Sequence, residues 1–134
     1  MTGKYIILPT YRGERGALSV AQELKEAPFE IRRAFFIYDV PADAHRGCHA
    51  YRHNELIVCV HGACRVMIDD GAGEEIFELN DPATALLIPE NTWRDIYDFA
   101  PGAVLAVVSD ALFSDKDYVW DREEFKRMRS SDRN

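Results

Sequence analysis

A chain of 134 residues is long enough for one hydrophobic core and too short for two, so we expect a single domain over residues 1–134. Its net charge of −7 argues against nucleic-acid binding, because neutralising phosphates takes a surplus of Lys and Arg. No apolar run approaches the roughly 18 residues of a membrane-spanning helix, and the N-terminus lacks the features of a secretory signal. The three cysteines form no CxxC pair, and this pattern is typical of reduced thiols in the cytoplasm.

Short segments rich in β-sheet residues alternate with turn signals along most of the chain. The predicted strands are 5–9, 33–40, 48–53, 55–61, 64–70, 74–79, 84–89, 93–99 and 103–110. Such spacing is typical of an antiparallel barrel or sandwich. Residues 20–25 read as a short helical turn or an edge segment, and residues 121–129 as a C-terminal helix whose acids precede its bases. The sequence therefore predicts an all-β barrel with a short C-terminal helix.

Arginines are concentrated in the first 52 residues, at positions 12, 15, 32, 33, 46 and 52. In an acidic protein, a local group of arginines could hold a small anion such as a pyrophosphate. A solvated scatter of surface charges explains the same distribution equally well.

The segment 46–62, RGCHAYRHNELIVCVHG, contains most of the residues that could carry chemistry. On a strand over 48–53, the side chains of His49, Tyr51 and His53 would project from one face, because side chains alternate with period two. Their spacing resembles the first motif of the cupins, in which His-x-His is followed by Glu and then by Gly. This resemblance implies a cupin-type antiparallel β-barrel, or jelly roll.

Two of the four metal ligands of metal-binding cupins are replaced in this chain. Tyr51 stands at the second histidine position, and Arg94 at the position of the later histidine. An arginine has no lone pair with which to bind a metal. We therefore expect a site without metal, and a Zn or Fe site of His49, His53 and Glu55 is the alternative.

A wider pattern resembles the nucleotide-sugar 3,4-ketoisomerases, the WxcM-like proteins of the cupin superfamily, and extends over about residues 12–125. Its most specific parts are RGxL, PFxIxR and RGxHA, in this order. These parts lie at 15–18, 28–33 and 46–50, with further matches at 35–39, 69–71, 88–89, 93, 109–110 and 117–118.

The resemblance implies an isomerase that moves the carbonyl of a dTDP-linked 4-keto-6-deoxyhexose from C4 to C3 through an enediol. It also implies a homodimer without a cofactor that acts in deoxysugar and amino-sugar synthesis for polysaccharides. Two alternatives remain open at this point. One is a deoxysugar epimerase of the same superfamily, and the other is a sugar-nucleotide binding module without catalysis.

The resemblance assigns the catalytic base to His49, since an imidazole titrates near neutrality. Relatives carry a second histidine where this chain has Tyr51. A phenol with a pKa of about 10 is a poor base at neutral pH but a fair proton donor or relay. His53 is the third catalytic candidate.

Six further residues are candidates for substrate binding. Arg15 and Arg46 belong to matching motifs and could hold the pyrophosphate, although Arg46 could equally bond to loop carbonyls. Glu55 would orient His49 or an arginine, and Trp93 would stack a base or belong to the core. The candidates are Arg15, Arg33, Arg46, Glu55, Trp93 and Arg94.

Overall fold

The computed structural model describes residues 3–132. Within them, twelve β-strands and a 3-10 turn at Asp115–Asp117 precede one α-helix. The bounds are β1 (Lys4–Ile7), β2 (Thr10–Gly13), β3 (Gly16–Ser19), β4 (Arg33–Ile37), β5 (Arg46–Tyr51), β6 (Glu55–His61), β7 (Cys64–Asp69), β8 (Glu74–Leu79), β9 (Thr84–Ile88), β10 (Thr92–Tyr97), β11 (Val104–Ser109), β12 (Tyr118–Val119) and α1 (Arg122–Asp132).

The strands form two five-stranded antiparallel sheets and one hairpin. Sheet I has the order β1-β9-β6-β11-β4, sheet II has the order β12-β5-β10-β7-β8, and β2 pairs only with β3. The prediction of an all-β antiparallel fold with a short C-terminal helix is confirmed. Within the described residues the two five-stranded sheets form separate ladders, so the predicted barrel takes the form of two facing layers.

The core lies between the two sheets because alternate side chains of each strand point inward. Sheet I contributes Ile57, Leu86 and Leu105, and sheet II contributes Val66 and Ile68, all almost fully buried. Burying each such side chain stabilises the fold by about 1.5–3 kcal/mol. One end of this interior is lined by polar side chains, and that end holds the candidate site.

A bulge in β5 decides which side chains enter the interior. The pairing of β5 with β10 shifts register between Arg94 and Asp95, and both Gly47 (φ 78) and Cys48 (φ 56) are left-handed. A Cβ on Gly47 would lie 3.0 Å from Cγ of Arg94, so glycine is needed at this position. Because of the extra residue, Arg46 and His49 both face the interior although they are three positions apart.

Several predicted element bounds were wrong. The strand predicted at 48–53 begins at Arg46 and ends at Tyr51, so His53 does not share its face. Of the two alternatives for residues 20–25, the helical turn is not found, since the segment forms turns and one isolated bridge. The hairpin of β2 and β3 and the short strand β12 were missed. Among residues 3–132, no helix has the length and apolar character needed to span a membrane.

Candidate active site

A cavity of about 250 Å³ opens between the two sheets. Its polar lining comes from β5, β6 and β10 and from the segment after β11. Arg46 and His49 enter from β5, Glu55 from β6, and Arg94 from β10. The apolar lining includes Phe35, Ile37, Ile57, Ile96, Val107, Phe113 and Trp120. A mostly apolar chamber with a few convergent charged groups is typical of a small-molecule site.

His49 is half-buried at the wall of this cavity and is neutral at physiological pH. Burial, the charge of Arg94 and the charge of Arg46 lower its pKa from 6.5 to about 4. Its buried Nδ1 atom has no hydrogen-bond partner within the described part of the chain. Because a neutral imidazole carries a lone pair on one of its nitrogens, His49 can act as a proton acceptor.

Arg94 and Glu55 form a buried ion pair beside His49. Their exposed fractions are 1% and 4%. Nη1 of Arg94 donates to Oε1 of Glu55, and Nη2 donates to the carbonyl of Thr92 at 3.1 Å. Burial raises the pKa of Glu55, and the guanidinium groups of Arg94 and Arg33 oppose this shift. The pair fixes a cation against the cavity, where it can stabilise negative charge on an oxygen.

Tyr51 lies behind the cavity wall and is 1% exposed. Its hydroxyl shares a hydrogen bond of 2.9 Å with Oγ of Ser109 and accepts one of 3.3 Å from Nη2 of Arg33. The same Nη2 donates to the hydroxyl of Tyr118 at 3.0 Å and lies 4.0 Å from Oε2 of Glu55. Burial raises the pKa of Tyr51, so the phenol remains protonated and can act as a donor.

The sequence assigned no role to Tyr118 or Ser109, which complete this network. Tyr118 lines the cavity, and its ring contacts Tyr51 with centroids 4.9 Å apart and His49 with centroids 4.9 Å apart. Both residues lie in segments that carry the wider resemblance, 109–110 and 117–118, and this was the available signal. Neither has a spacing that would point to the site without the fold.

The structure does not bring His53 into the cavity. Its Nε2 atom lies 3.2 Å from Asp117, and its Nδ1 atom lies 3.8 Å from Asp110. The chain turns after Tyr51, and His53 follows that turn. The alternative metal site of His49, His53 and Glu55 is therefore not assembled among residues 3–132, where the ligand atoms of that trio form no close group.

Trp93 and Arg15 also lie away from the cavity. Trp93 is 6% exposed and packs against Phe125 of α1 with ring centroids 6.0 Å apart. It points to the opposite face of β10 from Arg94, and its environment is that of a core residue. Arg15 lies between β2 and β3 at the exposed tip of the hairpin.

Exposed aromatic rings surround the mouth of the cavity. Phe113 and Trp120 are 68% and 65% exposed, although large apolar rings are usually covered. Trp120 stacks on Tyr118 with ring centroids 5.8 Å apart, and the guanidinium of Arg33 lies 5.5 Å from the ring of Phe113. The mouth therefore offers flat apolar surfaces beside the charged interior.

Known proteins match nearly the whole chain. The family model described as WxcM-like, C-terminal (FdtA) matches residues 1–130. The TDP-4-oxo-6-deoxy-alpha-D-glucose-3,4-oxoisomerase of Aneurinibacillus thermoaerophilus is 32% identical over 128 residues, which cover 95% of this chain and 92% of that protein.

Two solved structures share the fold closely. A 3,4-ketoisomerase from Helicobacter canadensis is 34% identical with a TM-score of 0.93, and the match covers 97% of this chain and 98% of that chain. A 3,4-ketoisomerase mutant from Thermoanaerobacterium thermosaccharolyticum, in complex with TDP-4-keto-6-deoxyglucose, is 25% identical with a TM-score of 0.93 and coverages of 97% and 95%. The sequence resemblance is confirmed, and the chain belongs to the WxcM-like, C-terminal (FdtA) family.

Proposed function

We propose that the protein is a 3,4-ketoisomerase, which moves the carbonyl of a TDP-linked 4-keto-6-deoxyhexose from C4 to C3. The observation that carries this proposal is a neutral imidazole at the cavity wall beside a buried guanidinium, in a member of this family. The named relatives are 3,4-keto- or oxoisomerases, which favours isomerisation over epimerisation.

The reaction requires a proton to leave C3 and another to reach C4. His49 takes the C3 proton, and the electron pair of the C3–H bond forms the C3–C4 double bond of an enediolate. The charge that develops on the C4 oxygen is stabilised by Arg94, because a fixed cation in a water-poor site favours an oxyanion. A proton then passes from the C3 hydroxyl to the C4 oxygen. The C3 oxygen re-forms a carbonyl as the double-bond electrons take a proton from a donor at C4, and the proton held by His49 restores that donor.

We assign the return of the proton to C4 to the tyrosine pair. Tyr118 lines the cavity, and Tyr51 fixes Arg33 behind it through the hydrogen bond of 3.3 Å. A phenol hydroxyl can donate a proton or a hydrogen bond. In this assignment Tyr51 takes over the role of the histidine that relatives carry at its position, and His53 stays outside the reaction because its ring faces Asp110 and Asp117.

An incubation with TDP-4-keto-6-deoxyglucose in D₂O, followed by NMR, tests the function. An isomerase moves the carbonyl to C3 and incorporates deuterium. An epimerase exchanges a proton next to the carbonyl but leaves the ketone at C4. Saturable binding without exchange would identify a binding module and would refute the proposal.

We also propose that the protein works as a homodimer in the cytoplasm, where its three thiols, free in the structure, would stay reduced. The outer face of sheet I supports the dimer. Together with the hairpin it forms a groove of about 590 Å³ lined by Leu56, Val58, Val60, Ala106 and Val108. A second copy would cover this face, since apolar sheet faces tend to be buried.

Arg46 and Arg15 would bind the diphosphate, Arg46 in its own subunit and Arg15 across the dimer. The hairpin that carries Arg15 pairs only with itself, and a lone two-stranded hairpin is marginally stable in water.

Refolding a mixture of the Arg15→Ala and His49→Asn variants tests whether Arg15 reaches the cavity of the partner subunit. If Arg15 serves the partner's cavity, about one quarter of the sites regain both residues in a statistical mixture of twofold dimers. If Arg15 serves its own cavity, mixing restores nothing.

A further inference from the structure

A second group of reactive side chains lies on the outer face of sheet II, on the opposite side from the cavity. It consists of His45, Cys48 and Asp95, and the ligand atoms of the three all lie within 4.8 Å of one another. His45 and Cys48 are exposed and Asp95 is half-buried. The reaction proposed above uses none of them.

The sulfur-to-oxygen distance in this group matches that of a tetrahedral zinc site. Typical bonds of about 2.0 Å to nitrogen, 2.1 Å to oxygen and 2.3 Å to sulfur place a sulfur and an oxygen ligand about 3.6 Å apart, and a nitrogen and an oxygen ligand about 3.3 Å apart. Sγ of Cys48 lies 3.6 Å from Oδ1 of Asp95. Nδ1 of His45 lies 2.8 Å from the same oxygen, so a small rotation of the imidazole would open the position for an ion.

The backbone and a neighbouring ring hold these ligands in place. Cys48 is the residue of the β5 bulge with φ 56, and its thiol lies beside Asp95 on the outer face, whereas His49 lines the cavity. The imidazole of His45 stacks on Tyr97, with ring centroids 5.5 Å apart and an interplanar angle of 10°. A left-handed non-glycine residue is uncommon and costs free energy, and here it aims a thiol at a carboxylate and an imidazole.

We propose that His45, Cys48 and Asp95 bind a divalent ion of the zinc class, with water as the fourth ligand. Thiolate, imidazole and carboxylate together favour Zn²⁺ or Co²⁺ over Mg²⁺ or Ca²⁺, which prefer oxygen ligands. Because the ion lies behind the sheet, it takes no part in the reaction at C3 and C4. It ties the loop before β5 to β10 and stabilises this outer corner of the fold.

Titration with Co²⁺ of the untagged, metal-stripped protein tests this site. Thiolate coordination gives a sulfur-to-cobalt charge-transfer band in the near ultraviolet, and tetrahedral geometry gives intense visible bands. We expect one Co²⁺ per chain, competition by Zn²⁺, and the release of a proton on binding, since the thiol must ionise. Zn²⁺ should also raise the melting temperature of the parent protein.

Cys48→Ser is the decisive variant, because it removes only the sulfur at an exposed position. It should lose the charge-transfer band and the stabilisation by Zn²⁺ while retaining isomerase activity, and Asp95→Asn should weaken Co²⁺ binding at least tenfold. Cys59→Ser is the matched control, since Cys59 is buried in the core, and it should keep the band. A band that persists in Cys48→Ser, or a parent protein that binds no Co²⁺ at micromolar concentrations, would overturn the proposal.

Discussion

The lowered pKa of His49 makes the stability of the protein depend on pH in a defined window. The pKa falls from 6.5 to about 4, and each pKa unit corresponds to about 1.36 kcal/mol. The unfolded chain binds the proton more tightly than the folded protein does. The contribution of His49 is therefore complete above pH 6.5 and is lost as the pH falls through 4, by about 3 kcal/mol in all.

Urea unfolding at pH 7.5 and pH 5 measures this effect. At pH 5 the unfolded histidine is almost fully protonated and the folded one is mostly neutral, which costs about 2 kcal/mol of the unfolding free energy. His49→Asn should remove about this much of the pH dependence. His61, exposed at the end of β6, provides the variant His61→Asn as a control for removing an imidazole. NMR titration of the His49 ring should give the pKa directly.

Two results would refute this reasoning. One is an NMR titration in which His49 has a pKa of 6.5 or higher, since burial and the neighbouring Arg94 would then not act as inferred. The other is a His49→Asn variant that retains the full pH dependence of the parent. Either result would also remove the argument that the base is neutral in the free enzyme.

Three further predictions concern the reaction. His49→Asn should slow deuterium exchange at C3 and carbonyl migration by about 10²–10⁴-fold, and full exchange in this variant would mean that the base is misassigned. Tyr51→Phe should spare the exchange and impair formation of the 3-keto product. Arg46→Ala should weaken binding of the nucleotide sugar by about 1.5–3 kcal/mol in calorimetry, and unchanged affinity would exclude Arg46 from the anion site. Dialysis against a chelator should leave the activity unchanged, and a loss that one metal restores would contradict the proposed chemistry.

The sequence predicted best those strands that carry buried apolar residues. β6, β7, β8 and β11 were found within one residue because their apolar residues face a buried core. The hairpin of β2 and β3 was missed because almost every residue in it is exposed, so no alternation appears. The start of β5 was missed because glycine is uncommon within strands, and Gly47 lies at a bulge in the ladder.

Whether the sequence could locate a site residue depended on whether its position is set by nearby sequence or by distant parts of the fold. His49, Glu55 and Arg94 could be located because motif spacing along paired strands fixes which side chains converge. His53 could not, because a strand end at Tyr51 leaves no mark in the sequence. For Trp93 the structure agrees with the core alternative, and its cover is Phe125 in a helix about thirty residues later.

The reach of a phenol between the two sheets explains the contacts of Tyr51. Tyr51 lies on β5 of sheet II, and its hydroxyl meets Ser109 on β11 of sheet I at 2.9 Å. A phenol extends further from the backbone than an imidazole does, so it can make this bond and also accept from Arg33. Ser109 is fully buried, and leaving its hydroxyl unpaired would cost about 1–3 kcal/mol. The tyrosine hydroxyl therefore links the two sheets and positions Arg33, so the proton donation proposed above would depend on the same group that holds this packing together.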